Sequence, residues 1–143
     1  MDRIEKALEL RAKRYNCCQA VVCTFADLTG VDEQSLFRLA EGFGSGMGGQ
    51  QCVCGAVSGA VMVSGLLKSS GQAGDIDSLL QSLERSRQLT EGFERKNASL
   101  TCKDLKVADP EKSYALCNGY VADAVKLVEE IILNSGKEGH KSV

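Results

Sequence analysis

Apolar residues recur along this chain at steps of three and four, and hardly anywhere do they alternate. Ile4, Ala7, Leu8 and Tyr15 form one stripe, and Cys17, Val21, Thr24 and Leu28 form a second. Both follow the 3.6-residue period of amphipathic helices. The pattern predicts helices over roughly residues 2–14 and 16–29 that can run on as one. Gly30 stops the second. Asp32 is placed to cap a short helix over roughly residues 33–40, which Gly42 closes.

The periodicity then breaks at Gly42-Phe43-Gly44-Ser45-Gly46-Met47-Gly48-Gly49, a glycine-rich stretch expected to form a tight or strained loop. A helix of small residues is predicted to follow, over roughly residues 50–67. Gly55 and Gly59 lie four apart, as do Ala56, Ala60 and Ser64, so two adjacent strips offer almost no side chain. Close packing by neighbouring helices is the first reading of such a face; a cofactor contact is the second. Gly44-x-Gly46-x-x-Gly49 matches a dinucleotide fingerprint on paper. It follows a helical pattern rather than a strand, so nicotinamide or flavin binding by that route is not expected.

Beyond a linker at Gly71-Gln72-Ala73-Gly74, a helix is expected from Asp75 or Asp77 to near Asn97, with Leu79, Leu80, Leu83, Leu89 and Phe93 on its apolar face. Thr101 to Leu105 reads as a short turn or helical piece. Asp109-Pro110 supplies an N-cap and N1 proline for a last helix carrying Tyr114, Cys117, Val121, Ala124, Val128 and Ile131 on one face. Gly136 ends it, and residues 136–143 form a loose tail. The fold class is therefore all-α: one domain over residues 1–143, a bundle of about five to six helices with a glycine-rich loop before a central small-residue helix.

Composition narrows the function. A net charge of −2 with no block of like charges does not suit nucleic acid. The longest apolar run, around Val57 to Leu67, is too short and interrupted for membrane insertion. The opening residues lack a basic region leading into an apolar one, so a cytoplasmic location is expected. There, seven cysteines are anomalous, because a reducing compartment does not sustain structural disulfides. The only histidine, His140, sits in the polar tail. Neither C-x-x-C nor C-x-x-C-H occurs, which removes the thioredoxin signature and covalent haem attachment, and the paired knuckles of a zinc ribbon are missing.

The cysteines themselves are placed unevenly. Cys52 and Cys54 fall at the start of the small-residue helix, where unpaired backbone N–H groups and the helix dipole favour a thiolate. In a regular helix they would diverge, leaving one to face the core. Cys17 and Cys18 diverge likewise, and Cys102 can meet Cys117 across the Asp109-Pro110 corner. Any one of them, Cys23 included, also suits the plain role of a small buried hydrophobe.

The order Asn16-Cys17-Cys18-Gln19-Ala20-Val21, the glycine loop, Cys54-Gly55-Ala56-x-x-Gly59, then Cys102 and Cys117 resembles one family in particular: redox-active proteins with four cysteines and a CGAxxG motif. The likeness runs from about Ala12 to Val128. It implies that the family's cysteines fall on Cys17, Cys54, Cys102 and Cys117, that Cys18, Cys23 and Cys52 are extras, and that the role is redox. A more distant resemblance to the non-haem part of split-Soret cytochromes implies an iron–sulfur centre as one use of such cysteines.

Three readings follow. In the first, Cys54 is a low-pKa thiolate that Cys17, Cys102 or Cys117 resolves as a disulfide. In the second, Cys17, Cys54, Cys102 and Cys117 ligate a metal or an iron–sulfur cluster. In the third, the cysteines are core residues of a non-catalytic interaction module. Gly46, Gly48, Gly49, Gly55 and Gly59 are the candidate positions for close approach of a cofactor. The expected partner is a redox protein or compound, and the small-residue face could serve a homodimer as well as a core.

Overall fold

The computed structural model describes residues 2–134; the tail expected over 136–143, with Gly136 and His140, lies outside them. The architecture is all-α, in the order α1 (Arg3–Ala12), α2 (Cys17–Cys23), α3 (Ala26–Thr29), α4 (Glu33–Glu41), α5 (Gly44–Met47), α6 (Gly55–Lys68), α7 (Ile76–Asn97), α8 (Cys102–Leu105) and α9 (Pro110–Leu127). A π-helical turn over Val128–Leu133 extends α9. Among the described residues the only β-type pairing is an isolated bridge between Val53 and Thr101.

The continuous helix that the first stripes allowed is broken twice. Arg14 adopts a left-handed φ of 75°, and Asn16 then caps α2 with a reciprocal pair: its side chain accepts the Gln19 N–H at 2.9 Å, while the Gln19 side chain accepts the Asn16 N–H at 2.8 Å. Thr24 and Phe25 separate α2 from α3. The breaks let α2 turn into the centre of the molecule, where all seven of its residues are buried. It packs against α1, α4, α6 and α9.

Burial of a whole helix needs a thin neighbour, and α6 supplies it. A Cβ on Gly59 would stand 3.0 Å from Val21 Cβ and 3.1 Å from the Cys18 carbonyl oxygen, and one on Gly55 would stand 3.3 Å from the Cys18 amide. The small-residue strip is thus spent on helix packing inside the chain. Asp32, Asp75 and Asp109 cap α4, α7 and α9 as the sequence suggests. The apolar face expected on α7 divides: Leu89 and Phe93 are buried, whereas Leu79, Leu80 and Leu83, in its first half, are exposed.

Candidate functional site

The glycine-rich segment is not a phosphate loop, since α4 and not a strand precedes it. It is a run of left-handed residues: Ser45, Gly46, Met47, Gly48, Gly49 and Gln51 all have φ between 53° and 81°. This coil turns the chain so that Cys52 N–H donates to the Gly46 carbonyl at 2.9 Å. Residues 51–54 then pair with residues 100–103, with Val53 bridged to Thr101. Cys102 N–H donates to Cys52 O at 2.6 Å, Lys103 N–H to Gln51 O at 3.2 Å and Cys54 N–H to Leu100 O at 2.8 Å. The small-residue helix consequently begins at Gly55 rather than near residue 50, with Cys54 as its N-cap and Cys52 outside it, exposed.

These pairings bring distant parts of the chain to one place. Cys17 from the start of α2, Cys54 from the cap of α6, Cys102 from α8 and Cys117 from α9 line a single cavity of about 10 Å³, room for about one water molecule. Gly46, Gly55, Leu105 and Tyr120 complete much of its wall. Gly46 is required there, because a Cβ would come within 2.6 Å of the Cys52 amide and 2.7 Å of Cys102 Cβ. Of the other candidate glycines, Gly59 backs onto α2, while Gly48 and Gly49 face open space. The three remaining cysteines stand apart. Cys18 lies against Met62, with 3.7 Å between sulfurs, Cys23 Sγ donates to the Glu33 carbonyl at 3.9 Å, and Cys52 is exposed. All seven are free thiols.

The four thiols around the cavity are not equivalent. Cys17 is held below the ordinary thiol range, chiefly by a hydrogen bond from the Cys117 thiol, aided by the positive charges of Arg11 and Lys106 against the cost of burial. Cys117 is pushed strongly upward by the same hydrogen bond and by burial, so it retains its proton. Cys102 is raised by burial. Cys54 overturns the expectation of a helix-start thiolate: burial pushes it up to about 11, although the Ala56 and Val57 N–H groups pull the other way. The effect invoked from sequence is present, and desolvation outweighs it.

Cys17 and Cys117 also border an open pocket on the outer side, which Cys54 and Cys102 do not reach. The cluster therefore has an outer pair, Cys17 and Cys117, and an inner pair, Cys54 and Cys102, whose thiols burial pushes upward. Sequence reasoning missed Arg11, Lys106 and Tyr120. Lys106 follows Cys102 by four residues and Tyr120 follows Cys117 by three, helical spacings that share a face; no local signal points to Arg11.

A metal site was the alternative use of the same four cysteines. Among the described residues no three His, Cys, Asp or Glu side chains are grouped so as to hold a metal ion, and a cavity of one-water size has no room for an iron–sulfur cluster. The arrangement does not fit that group, and no chemistry is derived through it.

An all-α bundle whose sequence-distant cysteines converge on one buried cavity defines a class of cysteine-centred helical proteins. The chain belongs to the family whose model is described as "Putative redox-active protein (C_GCAxxG_C_C)", matched over residues 15–131. Membership supports a general redox role. No curated protein and no solved structure matches the chain.

Proposed function

We propose that the protein carries out thiol–disulfide exchange through Cys17 and Cys117, with Cys54 and Cys102 as an inner pair in the same cavity. The observation that carries this reading is that Cys17 and Cys117 line both the cavity shared with Cys54 and Cys102 and the open pocket outside it, with the charges of Arg11 and Lys106 favouring the Cys17 thiolate. A nucleophile and a second thiol at one opening are the two parts exchange needs.

In the exchange, the Cys17 thiolate attacks one sulfur of a partner disulfide. The partner's S–S bond breaks, and its other sulfur leaves as a thiolate that takes up a proton. Cys117 then gives up its proton and attacks Cys17 Sγ of the mixed disulfide, so that the second partner sulfur leaves as a thiol. Two protein thiols lose two electrons, and the partner disulfide becomes two thiols. The reverse sequence reduces Cys17–Cys117 and oxidises a dithiol. Cys54 and Cys102 line the same cavity, and in this reading they take the disulfide over by a second exchange.

The test is a thiol titration after equilibration with a thiol/disulfide buffer. The wild-type protein is expected to lose two titratable thiols as the buffer becomes oxidising, and Cys17→Ser and Cys117→Ser to lose none at the same poise. Cys18→Ser and Cys23→Ser should behave as wild type. Seven free thiols at every poise would overturn the proposal.

A further inference from the structure

The outer side of the cysteine pair opens into a pocket of about 290 Å³, at the small end of the range that holds small-molecule ligands. Cys17 and Cys117 line it with Asn16 and Ser45, as do two cations, Arg11 and Lys106. No acidic residue lines it. Among the described residues, neither cation has a carboxylate partner: the ion pairs formed are Arg3 with Asp27, Lys13 with Glu9, Arg87 with Glu84 and Glu91, Lys96 with Asp123, and Lys126 with Glu130. In a chain with more acidic than basic side chains, two un-neutralised cations at one pocket are a specific feature.

Both cations are held in place by neutral groups. Arg11 Nε donates to Asn118 Oδ1 at 3.0 Å, its Nη1 donates to the Tyr15 carbonyl at 3.3 Å, and its guanidinium lies 4.6 Å from the centre of the Tyr114 ring. Tyr114 returns a hydrogen bond from its hydroxyl to the Arg11 carbonyl at 3.2 Å. Lys106 Nζ donates to Ser45 Oγ at 3.3 Å. These contacts fix position without cancelling charge, so the positive potential is directed into the pocket. Of the two acids that flank Pro110 in sequence, neither lines the pocket, and Asp109 is engaged as the cap of α9, accepting the Glu111 N–H at 2.9 Å.

We propose that this pocket is the substrate site, and that the compound exchanging with Cys17 is a small disulfide or thiol bearing carboxylate groups, which Arg11 and Lys106 bind while its sulfur meets Cys17 Sγ. The assignment rests on the exchange reading and names its substrate class. A protein disulfide would need a broad face around the thiols; a pocket of this size, walled by two cations, admits a small anion.

Three disulfides of similar size and different charge test it: dithiodiglycolate, which is dianionic, hydroxyethyl disulfide, which is neutral, and cystamine, which is dicationic. The rate of mixed-disulfide formation at Cys17 is measured by mass spectrometry and divided by the rate each compound shows with a free small-molecule thiol. The anionic compound is expected to react at least about tenfold faster than the neutral one on this scale, and the cationic one more slowly than both. Lys106→Gln should shrink the anionic-to-neutral ratio severalfold and Lys106→Arg should restore it. Added salt should also lower it. The ratio cancels any change in Cys17 thiolate content. Arg11→Gln provides a second variant, checked for native melting because Arg11 also joins α1 to α9. Equal normalised rates for the three compounds, with Cys17 still reacting and pairing with Cys117, would overturn the pocket assignment and leave exchange intact. Absence of reaction at Cys17 with all three would overturn both.

Discussion

Cys17 and Cys54 are chemically the same side chain, each at the start of a helix, and the structure gives them opposite tendencies. Cys17 has a thiol donor in Cys117 and two nearby cations; Cys54 has two backbone N–H groups that burial outweighs. Alkylation should resolve them. In a Cys52→Ser background, which removes the exposed thiol, Cys17 is expected to label first as pH rises, ahead of Cys54, held up to about 11, and of Cys18 and Cys23, pushed by burial up to about 12. Labelling mapped by mass spectrometry along a pH series checks this order. In Cys117→Ala the Cys17 profile should move to higher pH, because the hydrogen bond that stabilises its thiolate is gone. Which four cysteines share the cavity followed from the family resemblance and not from periodicity or spacing. Which of them is activated was not legible in the sequence, because the hydrogen bond and both cations come from residues placed by tertiary packing.

Helix identities were largely readable from periodicity and caps, as Asp32, Asp75 and Asp109 illustrate, while helix boundaries around the site were not. The left-handed coil at residues 45–51 and its pairing with residues 100–103 form through backbone hydrogen bonds between segments about fifty residues apart, and no side-chain pattern encodes these. Two glycines in α6 separate packing from propensity. Gly59→Ala adds a Cβ at 3.0 Å from Val21 Cβ in a fully buried contact. The overpacking cost of about 1–3 kcal/mol exceeds a helix-propensity gain of about 1 kcal/mol, so the variant should melt at a lower temperature. A Cβ on Gly65 would meet nothing within 4 Å, so Gly65→Ala should stabilise by about 0.5–1 kcal/mol. Denaturant titration of both variants checks the pair of opposite signs. Asn16→Ala removes the capping box of α2 and the bond from Asn16 Nδ2 to the Glu41 carbonyl at 2.9 Å. A loss of about 1–2 kcal/mol is expected, read in the same titration.

At the scale of the molecule, the bundle holds α2 at its centre and brings Cys54, Cys102 and Cys117 around the head of that helix. The all-α class follows from the repeat of apolar residues; the convergence of four cysteines on one cavity is a property of the packing. Cys17 and Cys117 are one hundred residues apart in sequence, so a disulfide between them would close most of the 143-residue chain into a loop. In the chain-entropy treatment a loop of that length stabilises the native state by about 4.7 kcal/mol, and the oxidised protein should unfold at a clearly higher denaturant concentration than the reduced one. The most direct test of exchange through Cys17 and Cys117 is the connectivity of the oxidised form. After mild oxidation and alkylation of the remaining thiols, proteolysis and mass spectrometry without reductant should yield the Cys17 peptide linked to the Cys117 peptide as the first disulfide formed. A first disulfide that omits Cys17, or none at all, would contradict it.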